Sequence, residues 1–188
     1  MKELFVLQYP GYLRYFDSVL EALSQQGHQV AVAFDQPHKQ PEGLSALASI
    51  DGDVEVLDAV PRRPDLWNQV ARGVRGTIDY ARYLHPRFEH SPYLRDRMRT
   101  VLPPLTRFLG RLTTTTATRT GRIIRFLQAC ERAVPSSKTL ETYLERAAPD
   151  VLVVSPLVTD QCPQVDLIKS ARRVGVRSAL CVASWDHL

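Results

Sequence analysis

Residues 1–34 constrain the fold of this chain more than any other part of its sequence. Apolar runs at residues 3–7 and 30–34 are rich in strand-forming side chains. Between the two runs, apolar side chains recur at the spacing of one helix face: Leu13, Phe16, Leu20 and Leu23. Gly27 suits the left-handed residue that ends such a helix. Two buried strands joined by a helix predict a right-handed βαβ crossover, and therefore a parallel sheet.

The same alternation of strands and helices returns later in the chain. Further strands are expected at residues 54–57, 150–155 and 177–183. Short helices are expected at residues 44–50, 139–148 and 163–174. The sequence thus predicts an α/β fold: a Rossmann-like parallel sheet with flanking helices and an inserted helical segment at about 65–133, in one domain over residues 1–188. Because no helix follows the last strand, we expect one lobe of a two-lobed protein, without its C-terminal lobe.

The inserted segment is expected to be mostly helical. Its first helix follows Asp65, a suitable cap, and carries one apolar face: Trp67, Val70, Val74, Ile78 and Ala81. A second helix is expected after Ser91-Pro92, because serine suits the cap and proline the first helical position. Another is expected around residues 123–130.

Arginine is concentrated in this segment. From Arg62 to Arg132 there are fifteen arginines and no lysine, against five acidic residues. Arginine favours bidentate contacts with phosphate and carboxylate groups, so the segment indicates an anionic partner: a phosphorylated acceptor, an anionic membrane surface or nucleic acid. Nucleic acid is disfavoured, because aromatic side chains do not interleave with the arginines in a recognisable binding module. The alternative is a solvated helical face with an arginine-rich composition.

Other features narrow the class of protein. No apolar stretch approaches the roughly 18 residues of a membrane-spanning helix, and no signal peptide precedes the first strand. The cysteines Cys130, Cys162 and Cys181 lack paired spacing, which favours isolated thiols over a metal site. We therefore expect a protein of the reducing cytoplasm that holds no metal.

The sequence lacks the glycine-rich motifs that cradle phosphates. It has neither G-x-G-x-x-G nor a Walker loop, which argues against a nicotinamide dehydrogenase and a P-loop NTPase. The remaining candidates are the loops that follow the predicted strands, at residues 8–14, 155–161 and 184–188. In a parallel sheet such loops open on one edge, where ligands bind.

The first two loops carry candidate binding residues. Pro10-Gly11 would let a ligand approach the backbone closely, and Arg14 would bind an anion at the start of a helix; the alternative is an ordinary turn with a surface arginine. Ser155 offers a hydroxyl group and Asp160 a carboxylate, but Asp160 could equally cap the helix that follows.

The third loop carries the densest chemistry. Trp185 offers a stacking surface for a sugar or base, Asp186 a general base, and His187 a proton shuttle or a phosphate partner. The alternative is that Trp185 packs in the core and Asp186 caps a further helix.

The strand–helix unit at residues 4–34, with Gly27-His28 before its second strand, resembles the N-terminal lobe of glycosyltransferases built from two Rossmann domains, the GT-B type. The similarity is to a less characterised bacterial group, and three further stretches carry it: Tyr9-Pro10-Gly11-Tyr12-Leu13-Arg14, Pro149-Asp150 and Cys181-Val182-Ala183-Ser184-Trp185-Asp186. Similar Trp-Asp-Asn turns occur in glycerophosphotransferases of the teichoic-acid type. Here His187 replaces the usual Asn, and Tyr15 stands where Asn is common. The arginine-rich middle is not covered by the resemblance.

The resemblance implies the acceptor-binding lobe of a sugar-nucleotide-dependent glycosyltransferase, inactive alone. The nucleotide-sugar donor would bind mainly to the other lobe, so no cofactor is expected on this lobe by itself. The partner would be a sugar or lipid-linked acceptor. An anionic membrane surface, as the partner of the arginine-rich segment, would place the protein at the periphery of the membrane. Arg14 would contact an acceptor phosphate or carboxylate, and Asp186 or Asp160 would be the base. The alternatives are a sugar-nucleotide epimerase, a glycerophosphotransferase-like enzyme, or a stand-alone Rossmann-like binding domain.

Overall fold

The structure, a computed structural model, describes residues 1–88, 90, 92–93, 96, 116–156 and 162–182. The strands are β1 (Lys2–Leu7), β2 (Gln29–Phe34), β3 (Val54–Val56), β4 (Val151–Ser155) and β5 (Arg177–Leu180). The α-helices are α1 (Asp17–Gln25), α2 (Trp67–Tyr83), α3 (Ala117–Ala133), α4 (Lys138–Ala147) and α5 (Gln164–Arg173). Short 3₁₀ helices lie at Pro10–Tyr15, Pro41–Ser49 and Pro86–Phe88. The helix predicted after Ser91-Pro92 falls mainly outside the described residues.

The strands form one parallel sheet in the order β3-β2-β1-β4-β5. The predicted α/β fold, a Rossmann-like parallel sheet flanked by helices, is therefore confirmed. Leu7 at the end of β1 pairs with Phe34 on one side and Ser155 on the other. Three central strands thus end at the same level, which brings the residues that follow them together.

Each face of the sheet packs against its own helices, because side chains of a strand alternate between the two faces. On one face the strands pack against α4 and α5: the cluster comprises Leu4, Val6, Ala31, Ala33, Val60, Leu140, Tyr143, Leu144, Ala147, Leu152, Val154, Leu167 and Ala171. On the other they pack against the first 3₁₀ helix and α1: this cluster comprises Phe5, Leu7, Leu13, Phe16, Leu20, Val30, Val32, Phe34, Ile50 and Val153. Both faces of the central strands are buried, which explains their unbroken apolar sequences.

The helix between β1 and β2 begins later than its apolar spacing suggests. Residues Pro10–Tyr15 form a 3₁₀ helix, and α1 starts only at Asp17. Short 3₁₀ turns are common at the start of α-helices, and Pro10 already supplies the required backbone angle. Gly27 and Gly175 both have φ of +80°, so they are left-handed, as glycine permits and as predicted for Gly27 after α1.

The chain divides into two compact units. The first comprises residues 1–63, 136–159 and 163–188 and contains the sheet; the second comprises residues 64–135 and 160–162. Within the second unit, α2 packs against α3. Arg75 of α2 is buried there, and its Nη2 lies 3.0 Å from the Glu131 carboxylate of α3.

The apolar face expected for α2 is wrong at its start. Trp67 and Val70 are each 45% exposed, whereas Arg75 and Thr77 are buried. The methylene groups of an arginine pack like an apolar side chain once its charge is paired. A buried arginine therefore changes which face of the helix is buried, relative to the face that apolar spacing predicts. Ile78 and Ala81, on the second half of the helix, are buried as expected.

Candidate functional site

The strand order places a switch point at the carboxyl edge of the sheet, where open parallel sheets have their ligand-binding crevice. From β1 the chain proceeds to β2 and β3 on one side, whereas β4 and β5 lie on the other. The connection after β1 packs on one face of the sheet and α5, after β4, packs on the opposite face. The two connections diverge from neighbouring strands, and in open parallel sheets such a switch point is where ligands bind.

Gln164 is the central polar residue of this edge. It is the first residue of α5, it is 1% exposed, and its side-chain Nε2 donates to acceptors from three strands. The acceptors are Asp35 Oδ2 at 2.8 Å, the Ser155 carbonyl at 3.3 Å and the Val6 carbonyl at 3.5 Å. One amide group therefore connects the ends of β1, β2 and β4. This arrangement fixes Asp35 to the sheet from its side chain.

Asp35 follows the last residue of β2 and is also fixed through its backbone. Its N–H donates to the Leu7 carbonyl at 3.0 Å, which continues the pairing of β1 with β2. Burial raises the pKa of the Asp35 carboxyl group to about 6, although the Gln164 hydrogen bond and the positive charge of Arg62 both lower it. A carboxyl group with such a pKa exchanges protons near neutral pH, as a general acid or base must.

Ser155 ends β4 and lies directly beside this cluster. Its side chain is fully buried, and its Oγ has no hydrogen-bond partner among the described residues. The same holds for Gln164 Oε1. Unpaired buried polar atoms are costly, and the described residues hold two more of them away from this cluster, Glu3 Oε2 and Ser137 Oγ. The predicted hydroxyl of Ser155 is therefore at the sheet edge, but it is enclosed rather than exposed on the rim.

The loop after β1 packs on the face of the sheet opposite to α5. Pro10 is buried, and the space beside Gly11 where a side chain would begin is filled by Gln40. A Cβ atom on Gly43 would lie 2.5 Å from the Pro10 carbonyl carbon and 2.6 Å from the Gly11 nitrogen. Two glycines thus allow the Pro41–Ser49 helix to pack against this loop. The role of Pro10 and Gly11 in ligand binding stays a prediction.

Arg14 is exposed in the last turn of the first 3₁₀ helix. Its guanidinium donates to the Tyr15 hydroxyl at 2.5 Å and lies 4.7 Å from the centre of the Tyr15 ring. Arg14 precedes α1, which starts at Asp17, and the first turn of α1 contains the carboxylate of Asp17. The exposed cation can still meet an anion from solvent, which keeps the predicted acceptor contact open as a hypothesis.

The other predicted site residues lie outside the described residues: Asp160, Trp185, Asp186 and His187. His28, the histidine of the Gly-His turn, hydrogen-bonds the buried carboxylate of Glu3 near the amino end of the sheet. That pair lies at the amino end of the strands, opposite to the carboxyl edge.

Sequence reasoning did not single out Asp35 and Gln164. Asp35 directly follows an apolar strand, and Gln164 begins the helix after Pro163. Those positions relative to a parallel sheet are the signal that could have found them. A neighbouring buried ion pair was also missed, between Arg63 after β3 and Asp166 of α5, whose side chains are 2% and 5% exposed and lie 3.2 Å apart.

Three further observations concern the described residues outside this cluster. A groove of about 490 Å³ runs along α4, and its lining combines hydroxyls with basic groups: Ala59, Pro61, Lys138, Thr139, Thr142, Tyr143 and Arg146. Within the described part of the chain, no group of three His, Cys, Asp or Glu side chains is placed to bind a metal ion. Nor does any described helix have the length and apolar character needed to cross a membrane.

Comparisons with protein-family models, with curated proteins and with solved structures found no match to this chain.

Proposed function

We propose that this chain is the acceptor-binding lobe of a glycosyltransferase that uses a nucleotide sugar and has two Rossmann-like lobes. The observation that carries the proposal is the polar cluster at the switch point, where Asp35, Gln164 and Ser155 meet at the ends of three strands. A hydroxyl acceptor must be oriented and must lose its proton during transfer. A fixed carboxyl group whose pKa burial raises to about 6 is suited to the second task.

The other residues of the proposal have one of two roles: they bind the acceptor or they act as the base. Arg14, exposed beside the first loop, would contact a phosphate or carboxylate of a lipid-linked or sugar acceptor. Asp186 and Asp160 remain candidate bases, with Trp185 and His187 as further substrate contacts. The nucleotide sugar itself would be held mainly by the other lobe, and the reaction would take place between the lobes.

The outer face of α3 supports a position peripheral to the membrane. Four arginines of this helix are exposed and lie along one side of it: Arg119, Arg122, Arg125 and Arg132. Phe126, on the same side, is 67% exposed. Basic side chains with an aromatic group between them are suited to an anionic lipid surface.

Vesicle binding tests this part of the proposal. We expect co-sedimentation with anionic vesicles that weakens steeply as salt is added, because exposed charges are screened. Binding should persist in Arg14→Ala and decrease in the triple variant Arg119→Gln, Arg122→Gln, Arg125→Gln. Binding that ignores salt, or that the triple variant retains in full, removes the membrane from the proposal.

The reaction itself is tested with the full-length gene product. It is incubated with labelled UDP-sugars and with labelled CDP-glycerol, in the presence of a membrane and cell-wall extract that supplies acceptors. The proposal predicts transfer of the labelled sugar from a nucleotide sugar to an acceptor. An epimerised nucleotide sugar, a glycerol phosphate ester, or ligand binding without turnover would instead identify one of the alternatives: an epimerase, a glycerophosphotransferase or a binding domain.

A further inference from the structure

The Asp35 carboxylate is held by one oxygen and open at the other. Oδ2 accepts the hydrogen bond from Gln164, whose amide is itself fixed by the carbonyls of Val6 and Ser155. No described residue hydrogen-bonds Oδ1. Asp35 directly follows the last residue of β2, at the carboxyl edge of the sheet, and its side chain is only partly buried. A carboxylate pinned in this way has one oxygen with a defined direction, free to accept a further hydrogen.

We infer that Asp35 accepts the proton of the acceptor hydroxyl and that Gln164 is its positioning residue. The inference rests on the proposed function and gives the role of base to Asp35 in place of Asp186 and Asp160, which lie outside the described residues. In the step, the acceptor O–H bond breaks and its proton passes to Asp35 Oδ1. The acceptor oxygen forms a bond to the anomeric carbon of the nucleotide sugar, and the bond from that carbon to the phosphate oxygen breaks. The nucleotide leaves with that electron pair.

Three described side chains influence the pKa of Asp35 or lie within electrostatic range of it: Arg62, Tyr143 and Gln164. The charged group that faces it from the segment after β3 is Arg62, whose charge lowers the pKa of Asp35. From α4, the Tyr143 hydroxyl lies within electrostatic range, and burial raises its own pKa to about 12, so it stays neutral in the working range. From α5 the neighbour is the neutral Gln164 amide. Among the described residues of this edge, Asp35 is the carboxyl group whose pKa burial raises to about 6.

Gln164 has a role that differs from simple support of the fold. Its hydrogen bond stabilises the charged form of Asp35 and so lowers the pKa of that carboxyl group. Gln164→Met keeps the length of the side chain but removes the donor. The remaining carboxyl group should then hold its proton to higher pH. A purely structural role would change stability but would not move the pH dependence of the reaction.

The test is the pH profile of sugar transfer by the full-length gene product, with the donor found in the label-transfer assay. We expect kcat/KM of the wild type to rise through a midpoint near pH 6, the pKa that burial gives Asp35. Asp35→Asn should lose about 100-fold or more in kcat, the usual contribution of a general base. Gln164→Met should keep measurable activity with its midpoint at higher pH. Asp58→Asn, which removes an exposed carboxylate of the same unit, is the matched control and should match the wild type.

A second variant separates chemistry from folding. Asp35→Ala leaves space for a small carboxylate, so added formate should restore part of its activity, and it should not change the activity of Asp58→Asn. If the wild type transfers sugar and Asp35→Asn keeps a kcat within about threefold of the wild-type value, the role of Asp35 is overturned and the proposed function stands. Absence of transfer by the wild type with every donor would overturn both.

Discussion

Replacing Asp35 with asparagine should stabilise the protein at neutral and alkaline pH, even though it removes a hydrogen-bonded charge. Burial raises the pKa of this carboxyl group from 3.8 to about 6. The folded protein therefore binds the Asp35 proton more tightly than the unfolded chain does. The stability that this proton provides is fully present below the unfolded pKa, and it is lost as pH rises through the folded pKa.

The size of the effect follows from the shift. A difference of roughly two pKa units corresponds to at most about 3 kcal/mol, and roughly half of it should develop between pH 5 and 8. The amide introduced by Asp35→Asn stays neutral across this range, and its oxygen can still accept from Gln164. The free energy of unfolding of the variant, relative to the wild type, should therefore increase with pH over that interval.

Urea unfolding followed by circular dichroism measures this difference at several pH values. The comparison between variant and wild type cancels the titration of all other groups. Asp58→Asn serves as the control, because it makes the same change at a side chain that is 87% exposed and so lacks the burial on which the prediction depends. A difference for Asp35→Asn that does not change between pH 5 and 8 would refute the burial argument for this carboxyl group.

Three further predictions concern stability, and thermal or urea unfolding measures each of them. Gly43→Ala should destabilise by about 1–3 kcal/mol, because its Cβ would overlap the neighbouring loop backbone, whereas Gly73→Ala in α2 has open space around it and should gain up to about 1 kcal/mol; equal effects would contradict the packing argument. Arg63→Met should cost about 3–5 kcal/mol by leaving Asp166 charged in a buried site, and Asp166→Leu added to it should recover much of that loss; purely additive losses would mean that the pair is not coupled. Tyr143→Phe should cost about 1 kcal/mol, because its hydroxyl donates to a backbone carbonyl at 3.1 Å, and a neutral change would show that the bond contributes nothing.

The sheet could be predicted from the sequence because its central strands are buried on both faces. Such strands appear as unbroken apolar runs, and helix-period spacing between them indicates the crossover. The helix expected at residues 139–148 is α4, and its apolar residues are buried on one face: Leu140, Tyr143, Leu144 and Ala147. Gly27 could be placed because a left-handed helix end selects glycine.

The polar cluster could not be predicted in the same way. Asp35 and Gln164 are 129 positions apart, and neither belongs to a motif of fixed spacing. Their meeting depends on the lateral order of the strands, which periodicity does not report. The buried face of α2 failed for a related reason, since the partner that permits a buried Arg75 is Glu131 on another helix. The spacing of apolar residues predicts which apolar side chains are buried. It does not predict a charged side chain that is buried because it pairs with a residue distant in the sequence.

The central claim, that ligands bind at the carboxyl edge of the sheet, is tested most directly by mapping backbone amide shifts on the ¹⁵N-labelled full-length protein. The probes are hydroxyl-bearing ligands, namely monosaccharides and glycerol phosphate, added one at a time. If ligands bind at this edge, the shifts should centre on the amides of Gln8, Asp35 and Gln164. Shifts confined to the groove along α4, at Thr142 and Arg146, would contradict it.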